Sequence, residues 1–187
     1  MDSASTLDRD SMVLVLVDMQ DRLAGVMPRR DAVIAASVLL ARAAEILGVP
    51  VIVTRQYPKG LGDTVAEIAE VTHGEPVDKV SFSCPTEPAF RQRLEGTGRR
   101  HVVLAGMETH ICITQTALAL LEDGYFVHVV ADATCSRRDA DHAVALDRLR
   151  AAGVVVTTAE SAVYEALGAA GSAEFGAVLE AVKARGL

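Results

Sequence analysis

Three side chains suited to acyl chemistry lie far apart in the sequence, each beside a predicted strand. Asp18 ends an apolar strand, Lys79 lies beside a short third strand, and Cys112 falls in the first turn of the helix after the fourth strand. A thiolate is a nucleophile, a nearby cation stabilises it, and a carboxylate can carry protons. The positive end of a helix dipole would also lower the pKa of the Cys112 thiol. Together these residues favour catalysis by a nucleophilic cysteine.

Each of the three residues also has an ordinary structural interpretation. Asp18 could cap a helix or bind a loop, Lys79 could be a solvated surface residue, and Cys112 could be a small buried hydrophobic residue. Burial is the interpretation that we favour for Cys84 and Cys135, because neither has a comparable position between a strand and a helix. The functional interpretation therefore depends on the combination of the three.

The elements that would position these residues follow a repeated pattern of helix, glycine and β-branched strand. The pattern recurs around Gly48, Gly124 and Gly153, and glycine supplies the left-handed conformation that closes a helix. Almost wholly apolar strands are typical of a parallel sheet that is covered by helices on both faces. The alternation predicts one α/β domain over residues 1–187, built as three α/β/α layers around a six-stranded, mostly parallel sheet.

The predicted strands are Met12 to Asp18, Pro50 to Gln56, Val77 to Val80, His101 to Gly106, Phe126 to Ala131 and Val154 to Thr157. The predicted helices are Asp31 to Leu47, Thr64 to Val71, Glu87 to Glu95, His110 to Asp123, Asp139 to Ala152, Glu160 to Leu167 and Ala173 to Ala184. Thr64-Val-Ala-Glu67 has the pattern of a capping box, which predicts a helix start at Thr64.

Composition excludes several classes of protein. The 187 residues carry a net charge of −7, half of them are hydrophobic, and no basic face suited to nucleic acid is evident. The longest apolar run, Met12 to Val17, is far shorter than the roughly 20 residues that span a bilayer. The first residues lack the pattern of a secretory signal, and three scattered cysteines indicate neither a disulfide framework nor a zinc cage. We expect a cytoplasmic protein with no nucleic-acid or membrane partner.

Common catalytic motifs are absent from the sequence. No Gly-x-Gly-x-x-Gly follows a strand, and there is no phosphate-binding Gly-x-x-x-x-Gly-Lys-Ser/Thr. A Gly-x-Ser-x-Gly nucleophile elbow and a His-Glu-x-x-His pair are also missing. Nucleotide enzymes, typical serine hydrolases of the α/β type and zincins are therefore poorly supported.

The sequence resembles isochorismatase-like cysteine hydrolases, and most closely the branch whose substrates are largely unassigned. Three blocks carry the resemblance: Leu16-Val-Asp-Met-Gln20, Lys79 followed by Ser-Phe-Ser, and Gly106-Met-Glu-Thr-His-Ile-Cys112. Supporting blocks are Thr54-Arg-Gln-Tyr-Pro-Lys-Gly-Leu-Gly62 and Val129-Val-Ala-Asp-Ala-Thr134. The resemblance implies the strand order 3-2-1-4-5-6, which places Asp18 and Cys112 where the winding reverses and where ligands bind in such sheets.

The resemblance also implies a role for each catalytic residue. Cys112 would be the nucleophile, Lys79 would favour its thiolate, and Asp18 would act as general base and acid. The N–H groups of Glu108 and Cys112 would form the oxyanion hole, with a cis peptide bond between Met107 and Glu108. The expected substrate is a small molecule, no cofactor is implied, and self-association is expected.

Departures from related patterns narrow the expected chemistry. Nicotinamidases carry an Asp-x-His metal pair shortly after the second strand, and the matching stretch here has no histidine before His73. No catalytic metal is therefore expected. Isochorismatases cleave a vinyl ether without a cysteine nucleophile, so Cys112 favours amide-like C–N hydrolysis and leaves ether cleavage open. The residues that flank the blocks and could line the substrate pocket are Gln20, Gln56, Tyr57, Phe82 and His110.

Two other classes of function stay open at this point. The chain could be a catalytically idle, oligomeric binding scaffold of the same fold. It could also be a redox-responsive protein in which Cys112 pairs with Cys84.

Overall fold

The computed structural model describes residues 6–186, and its centre is a six-stranded sheet with the order β3-β2-β1-β4-β5-β6. Every pair of neighbouring strands is parallel, so the predicted strand order and α/β class are confirmed. The strands are β1 (Met12–Val17), β2 (Val51–Gln56), β3 (Val77–Lys79), β4 (His101–Met107), β5 (Phe126–Cys135) and β6 (Val155–Thr157).

Helices cover both faces of the sheet. Within residues 6–186 they are α1 (Asp21–Ala24), α2 (Arg30–Leu47), α3 (Pro58–Leu61), α4 (Ala66–Ala69), α5 (Pro88–Gly96), α6 (Thr114–Glu122), α7 (Asp139–Ala151), α8 (Ala159–Leu167) and α9 (Phe175–Ala184). A 3₁₀ turn at Cys84–Thr86 and a π-helical turn at Thr109–Ile113 complete the set. None of the helices in this range combines the length and the apolar character that crossing a lipid bilayer requires.

The central strand β1 is buried on both faces, as its apolar sequence predicts. Leu14 and Leu16 belong to the hydrophobic layer that contains α2, α8 and α9. Val15 and Val17 point the other way, into the layer that contains α5, α6 and α7. Because side chains alternate along a strand, a strand between two helical layers needs apolar residues at every position.

Strand β5 extends beyond its predicted end at Ala131. It continues to Cys135, which pairs with Met107, after a register shift that follows the pairing of Leu104 with Val129. Asp132, the residue just beyond the predicted end, accepts hydrogen bonds from the N–H of Ala159 at 2.8 Å and from Arg185 at 2.7 Å. Satisfied in this way, a carboxylate can stay within the irregular part of a strand.

The predicted capping box at Thr64 is wrong. Helix α4 begins at Ala66 and has Val65 at its N-cap, without a side-chain hydrogen bond at the cap. Thr64 instead forms an antiparallel bridge with Gln20, and its buried hydroxyl has no hydrogen-bond partner among residues 6–186. Pairing with the segment after β1 therefore determines the local structure here, at the cost of the cap.

Two buried histidines on neighbouring strands should make folding sensitive to acid. Nδ1 of His101 lies 3.2 Å from Nε2 of His128, and burial together with the neighbouring imidazole lowers the pKa of His128 to about 4. An unfolded histidine titrates near 6.5, so below that pH the unfolded chain binds more protons than the native protein. Native stability should therefore fall as the pH drops from about 6.5 to about 4.

The variant His128→Leu removes this titration. Between pH 7.5 and pH 4.5 both proteins should lose unfolding free energy. The loss should be about 2–3 kcal/mol larger in the wild type than in the variant. Urea denaturation at both pH values measures the difference. His73→Leu is the control for replacing a histidine by leucine, because the side chain of His73 is 80% exposed and lies outside the sheet. Parallel pH profiles for wild type and His128→Leu would contradict the prediction.

Candidate active site

Asp18 lies directly after β1, at the carboxyl edge of the sheet, and is fully buried. Its backbone is left-handed, with φ of 55°, a conformation that aspartate tolerates better than most residues. Its N–H donates to the carbonyl of Thr54 at 3.1 Å, and its Oδ1 accepts the Thr54 hydroxyl at 2.7 Å. These contacts hold Oδ2 of the carboxylate in a defined direction.

Lys79 ends β3 and is buried against that carboxylate. Its Nζ lies 2.7 Å from Oδ2 of Asp18 and 2.6 Å from Oε1 of Gln56, and it also donates to the carbonyl of Ser81 at 3.2 Å. Burial is the largest single influence and opposes the charge, but Asp18 together with Cys84 and Cys112 outweighs it, and the pKa of Lys79 is raised above its ordinary value. The residue is therefore an ammonium ion paired with a carboxylate.

Cys112 completes the group from the π-helical turn after β4. Its Sγ lies 3.6 Å from Nζ of Lys79, and only 5% of the residue is exposed. Burial raises the pKa of the thiol, the charge of Asp18 and a hydrogen bond to that carboxylate raise it further, and Lys79 opposes both without overcoming them. The sequence predicts a lowered thiol pKa from the helix start and Lys79, and that prediction is wrong. The raised pKa of the thiol favours its protonated form at rest.

The turn that carries Cys112 has an unusual backbone. The Met107–Glu108 peptide bond is cis, as the resemblance implies. The N–H groups of Ile111 and Ile113 both donate to the carbonyl of Glu108, at 3.1 and 3.2 Å. The sequence predicts a regular helix from His110, whereas the chain forms a π-helical turn before α6. Such turns are frequent at functional sites.

Two of the predicted substrate-binding residues are engaged in the framework of the site. Gln20 is fully buried, and its amide donates to the carbonyls of Gln56 and Gly62 while accepting from the N–H of Gln56. Gln56 accepts from Lys79 and donates to the carbonyl of Val80 at 2.8 Å. Both amides therefore position the strand ends around Lys79.

The other three predicted substrate-binding residues are more accessible. Tyr57 is 55% exposed and Phe82 is 50% exposed, in the two segments that follow β2 and β3. The backbone N–H of Tyr57 donates to the carbonyl of Lys79. Nζ of Lys79 in turn lies 3.4 Å from the carbonyl of Phe82. His110 is partly buried, with Nδ1 2.9 Å from the hydroxyl of Ser136.

Several polar residues support the site without having been predicted. Thr54 binds Asp18, and Glu87 accepts the hydroxyl of Ser81 at 2.7 Å together with the N–H groups of Val80 and Ser81. In the sequence, only Thr54 hints at such a supporting role, because it is a polar residue after the apolar start of β2. Glu87 gives no such signal, because it precedes a helix and looks like any acidic surface residue.

Cys84 and Cys135 are buried, as the sequence predicts. All three cysteines are free thiols. Cys84 lies near this group of residues, with its Sγ 4.0 Å from the Thr54 hydroxyl, and burial raises its pKa to about 11. Burial also raises the pKa of Cys135, to about 12. Within residues 6–186 no three His, Cys, Asp or Glu side chains are grouped as metal ligands.

Comparison with known proteins agrees with this architecture. The protein-family model described as the isochorismatase domain matches residues 12–161 of the sequence. Isochorismatase domain-containing protein 1 of Salmo salar is 42% identical over 173 residues, which are 92% of this chain and 61% of that protein. The chain thus spans less than two thirds of that relative.

Two solved structures extend the comparison. The structure of the MAR1 ribonuclease from Caenorhabditis elegans has a TM-score of 0.89 at 35% identity, and covers 95% of this chain and 92% of that chain. An octameric hydrolase of unknown specificity from Escherichia coli has a TM-score of 0.86 at 23% identity, with 97% and 92% coverage, and shows the shared fold. Fold, sequence blocks and matched domain together show that the chain belongs to the isochorismatase family of hydrolases.

Proposed function

We propose that this protein hydrolyses an amide-like C–N bond of a small molecule, through a thioester formed on Cys112. The observation that carries the proposal is the group formed by Asp18, Lys79 and Cys112, in which a thiol, an ammonium and a carboxylate from three distant segments meet, buried, at the carboxyl edge of the sheet. A binding scaffold would have no need to bury all three together, since burying charged groups is costly.

The first half of the reaction transfers the acyl group to sulfur. Asp18 takes the thiol proton as Sγ attacks the carbonyl carbon, so the carboxylate becomes neutral when the sulfur would otherwise become a buried anion. Lys79 stays protonated and offsets the negative charge of the tetrahedral intermediate. Collapse of that intermediate breaks the C–N bond, and Asp18 returns the proton to the leaving amine.

The second half releases the acid. Water loses a proton to Asp18 and attacks the thioester carbon, and the second tetrahedral intermediate expels the sulfur, which recovers the proton. The sum is one amide and one water converted to one carboxylic acid and one amine. In both halves the oxyanion would be bound by the backbone N–H groups of Glu108 and Cys112.

The charges near the site favour a neutral substrate over a dianion such as isochorismate. Lys79 is paired with Asp18, Arg137 lies 3.1 Å from Glu108, and Arg55 is bound to Asp78 at 2.7 Å. Cations that are already paired offer little to a substrate carboxylate. The exposed rings of Tyr57 and Phe82 are suited to contact an apolar acyl group instead.

A panel of small carboxamides tests the proposal. The wild type should release ammonia and carry an acyl adduct on Cys112 that is detectable by mass spectrometry during turnover. Cys112→Ala should lose both signals, with activity at least 10³-fold lower. Cys135→Ala, which removes a buried thiol outside the site, should keep activity within a few-fold. Activity that persists in Cys112→Ala would contradict the thioester mechanism.

The same panel separates the alternative functions. The panel should include isochorismate, which is a vinyl ether, and RNA, because the similar structure from Caenorhabditis elegans is named a ribonuclease. A net charge of −7 disfavours RNA binding. Incubation with a chelator should leave the rate unchanged if the reaction is metal-independent. A folded protein that turns over none of these substrates would favour the idle scaffold. Self-association and a cytoplasmic location stay predictions from the resemblance and from the composition.

A further inference from the structure

Side chains tie the segment that carries the proposed oxyanion hole to the loop after β5. Glu108 is the principal link: its buried carboxylate accepts the N–H of Arg137 at 2.8 Å and lies 3.1 Å from the guanidinium Nε of the same residue. A charge-assisted pair of this kind fixes both partners more firmly than a neutral hydrogen bond does. The residue whose N–H is proposed to bind the oxyanion is thus held by its own side chain.

The next two residues are tied to the same region. Nδ1 of the His110 ring lies 2.9 Å from the Ser136 hydroxyl, and the backbone N–H of His110 donates to that hydroxyl at 3.4 Å. The hydroxyl of Thr109 lies 2.8 Å from Nδ1 of His142 in α7. Three consecutive residues are therefore anchored through side chains to Ser136, Arg137 and His142, which we call the β5–α7 anchor.

An external anchor is needed here because the backbone lacks the regularity of an α-helix. The π-helical turn at Thr109–Ile113 has the Glu108 carbonyl accepting from both Ile111 and Ile113. Oxyanion donors work only within about 2.7–3.1 Å of the developing charge, and a misplacement of about 1 Å can cost roughly 10²-fold in rate. Contacts that fix Glu108 therefore act on the transition state more than on substrate binding.

We infer that Arg137 and Ser136 are positioning residues for the oxyanion hole, acting through Glu108 and His110. The inference rests on the proposed function, because it assigns them to that reaction. The Arg137 side chain is 58% exposed, whereas that of Glu108 is 5% exposed. A half-exposed ion pair contributes little to stability. The predicted signature is a loss of rate that is out of proportion to any loss of stability.

Arg137→Ala should lower kcat about 10-fold, with KM changed less than twofold and Tm changed by no more than a few degrees. Arg138→Ala is the matched control, because it removes an exposed arginine from the next position and should leave kcat unchanged. Ser136→Ala should lower kcat several-fold, and Ser136→Thr, which restores the hydroxyl, should recover part of it.

A double-mutant cycle tests whether Arg137 acts through Glu108. Glu108→Gln keeps the shape of the side chain and removes its charge, and should lower kcat by about 10-fold or more. If the two residues act as one unit, the double variant should be no slower than Glu108→Gln alone. Multiplicative losses in the double variant would overturn the coupling, and an equal loss in Arg138→Ala would reduce the effect to general surface charge.

An aldehyde that matches the acyl group of the amide provides a readout independent of turnover. The Cys112 thiol adds to its carbonyl to give a thiohemiacetal, in which the carbonyl oxygen becomes the hydroxyl or oxyanion that the hole binds. Arg137→Ala should weaken aldehyde binding about 10-fold and amide binding less than twofold. Equal weakening of both would indicate a structural role only and would overturn the inference. If no amide is turned over, the proposed function fails, while the affinity of any small aldehyde that adds to Cys112 still tests the β5–α7 anchor: an unchanged affinity in Arg137→Ala would overturn the inference.

Discussion

Replacing Asp18 by asparagine should lower amide hydrolysis roughly 10³-fold while making Cys112 react faster with alkylating agents at neutral pH. The two effects have opposite signs because Asp18 has two roles. In the proposed mechanism it accepts the thiol proton during attack, and its charge raises the pKa of the resting thiol. Asparagine cannot take the proton, so hydrolysis is lost. Without the carboxylate, Lys79 is left facing Cys112 at 3.6 Å and favours the thiolate.

The same substitution should destabilise the fold. Lys79 and Asp18 are a buried pair at 2.7 Å, and removing one partner of such a pair typically costs about 3–5 kcal/mol. The double variant Asp18→Asn with Lys79→Met should recover most of that loss, since an uncharged pair of similar size needs no counter-charge. It should recover no activity. Loss of hydrolysis would then be separated from loss of folding.

Iodoacetamide labelling followed by mass spectrometry measures the thiol, and ammonia release measures hydrolysis. Asp78→Asn is the matched control, because it makes the same change one residue before Lys79 at a half-exposed side chain that is bound to Arg55. In Asp78→Asn, neither the labelling of Cys112 nor the release of ammonia should change by more than a few-fold. Slower alkylation in Asp18→Asn would show that the carboxylate activates the resting thiol, contrary to the raised pKa.

The fold was predictable because its signals are local and repeated. Apolar strands and glycine-terminated helices indicate a parallel α/β sheet, and the order of strands followed from the three sequence blocks. The end of β5 was not predictable, because Asp132 is stabilised by Ala159 and Arg185, which lie at least 27 residues away in sequence. The false capping box at Thr64 has the same origin, since pairing with Gln20 overrides the local preference.

The candidate site divides in a similar way. Asp18, Lys79 and Cys112 could be identified because reactive residue types stood at strand ends. Their protonation states could not, because a helix start and a lysine argue for a thiolate, whereas burial and Asp18 determine the opposite. The sequence groups Gln20 with the substrate-binding residues, whereas its side-chain amide is hydrogen-bonded to the backbone of Gln56 and Gly62. A polar side chain is free to face a substrate only if its hydrogen bonds are not used within the protein. The spacing of residues in the sequence does not show which hydrogen bonds are used.

Gly106→Ala should be among the most damaging single substitutions in the chain. A Cβ at this position would lie 2.0 Å from the carbonyl oxygen of Val17 and 2.8 Å from its N and C atoms. The φ of Gly106 is 130°, a value that residues with a side chain rarely adopt. The clash is with backbone in the paired strand β1, so no side-chain movement can relieve it, and β1 and β4 must separate.

We expect a loss of more than about 3 kcal/mol in unfolding free energy, or a failure to accumulate folded protein. Because Val17 directly precedes Asp18, any Gly106→Ala protein that folds should also have lost the contact between Asp18 and Lys79, and with it hydrolysis. Urea denaturation and ammonia release measure the two losses.

Gly176→Ala is the control that separates this effect from the general cost of replacing glycine. Gly176 lies exposed in the first turn of α9, and an added Cβ there meets no atom within 4 Å. Alanine is the better helix former, so this substitution should raise stability by up to about 1 kcal/mol and leave hydrolysis unchanged. A folded, active Gly106→Ala protein would mean that β1 and β4 can separate locally without moving Asp18. The proposed catalytic group would then not depend on the close approach of the two central strands at their carboxyl ends.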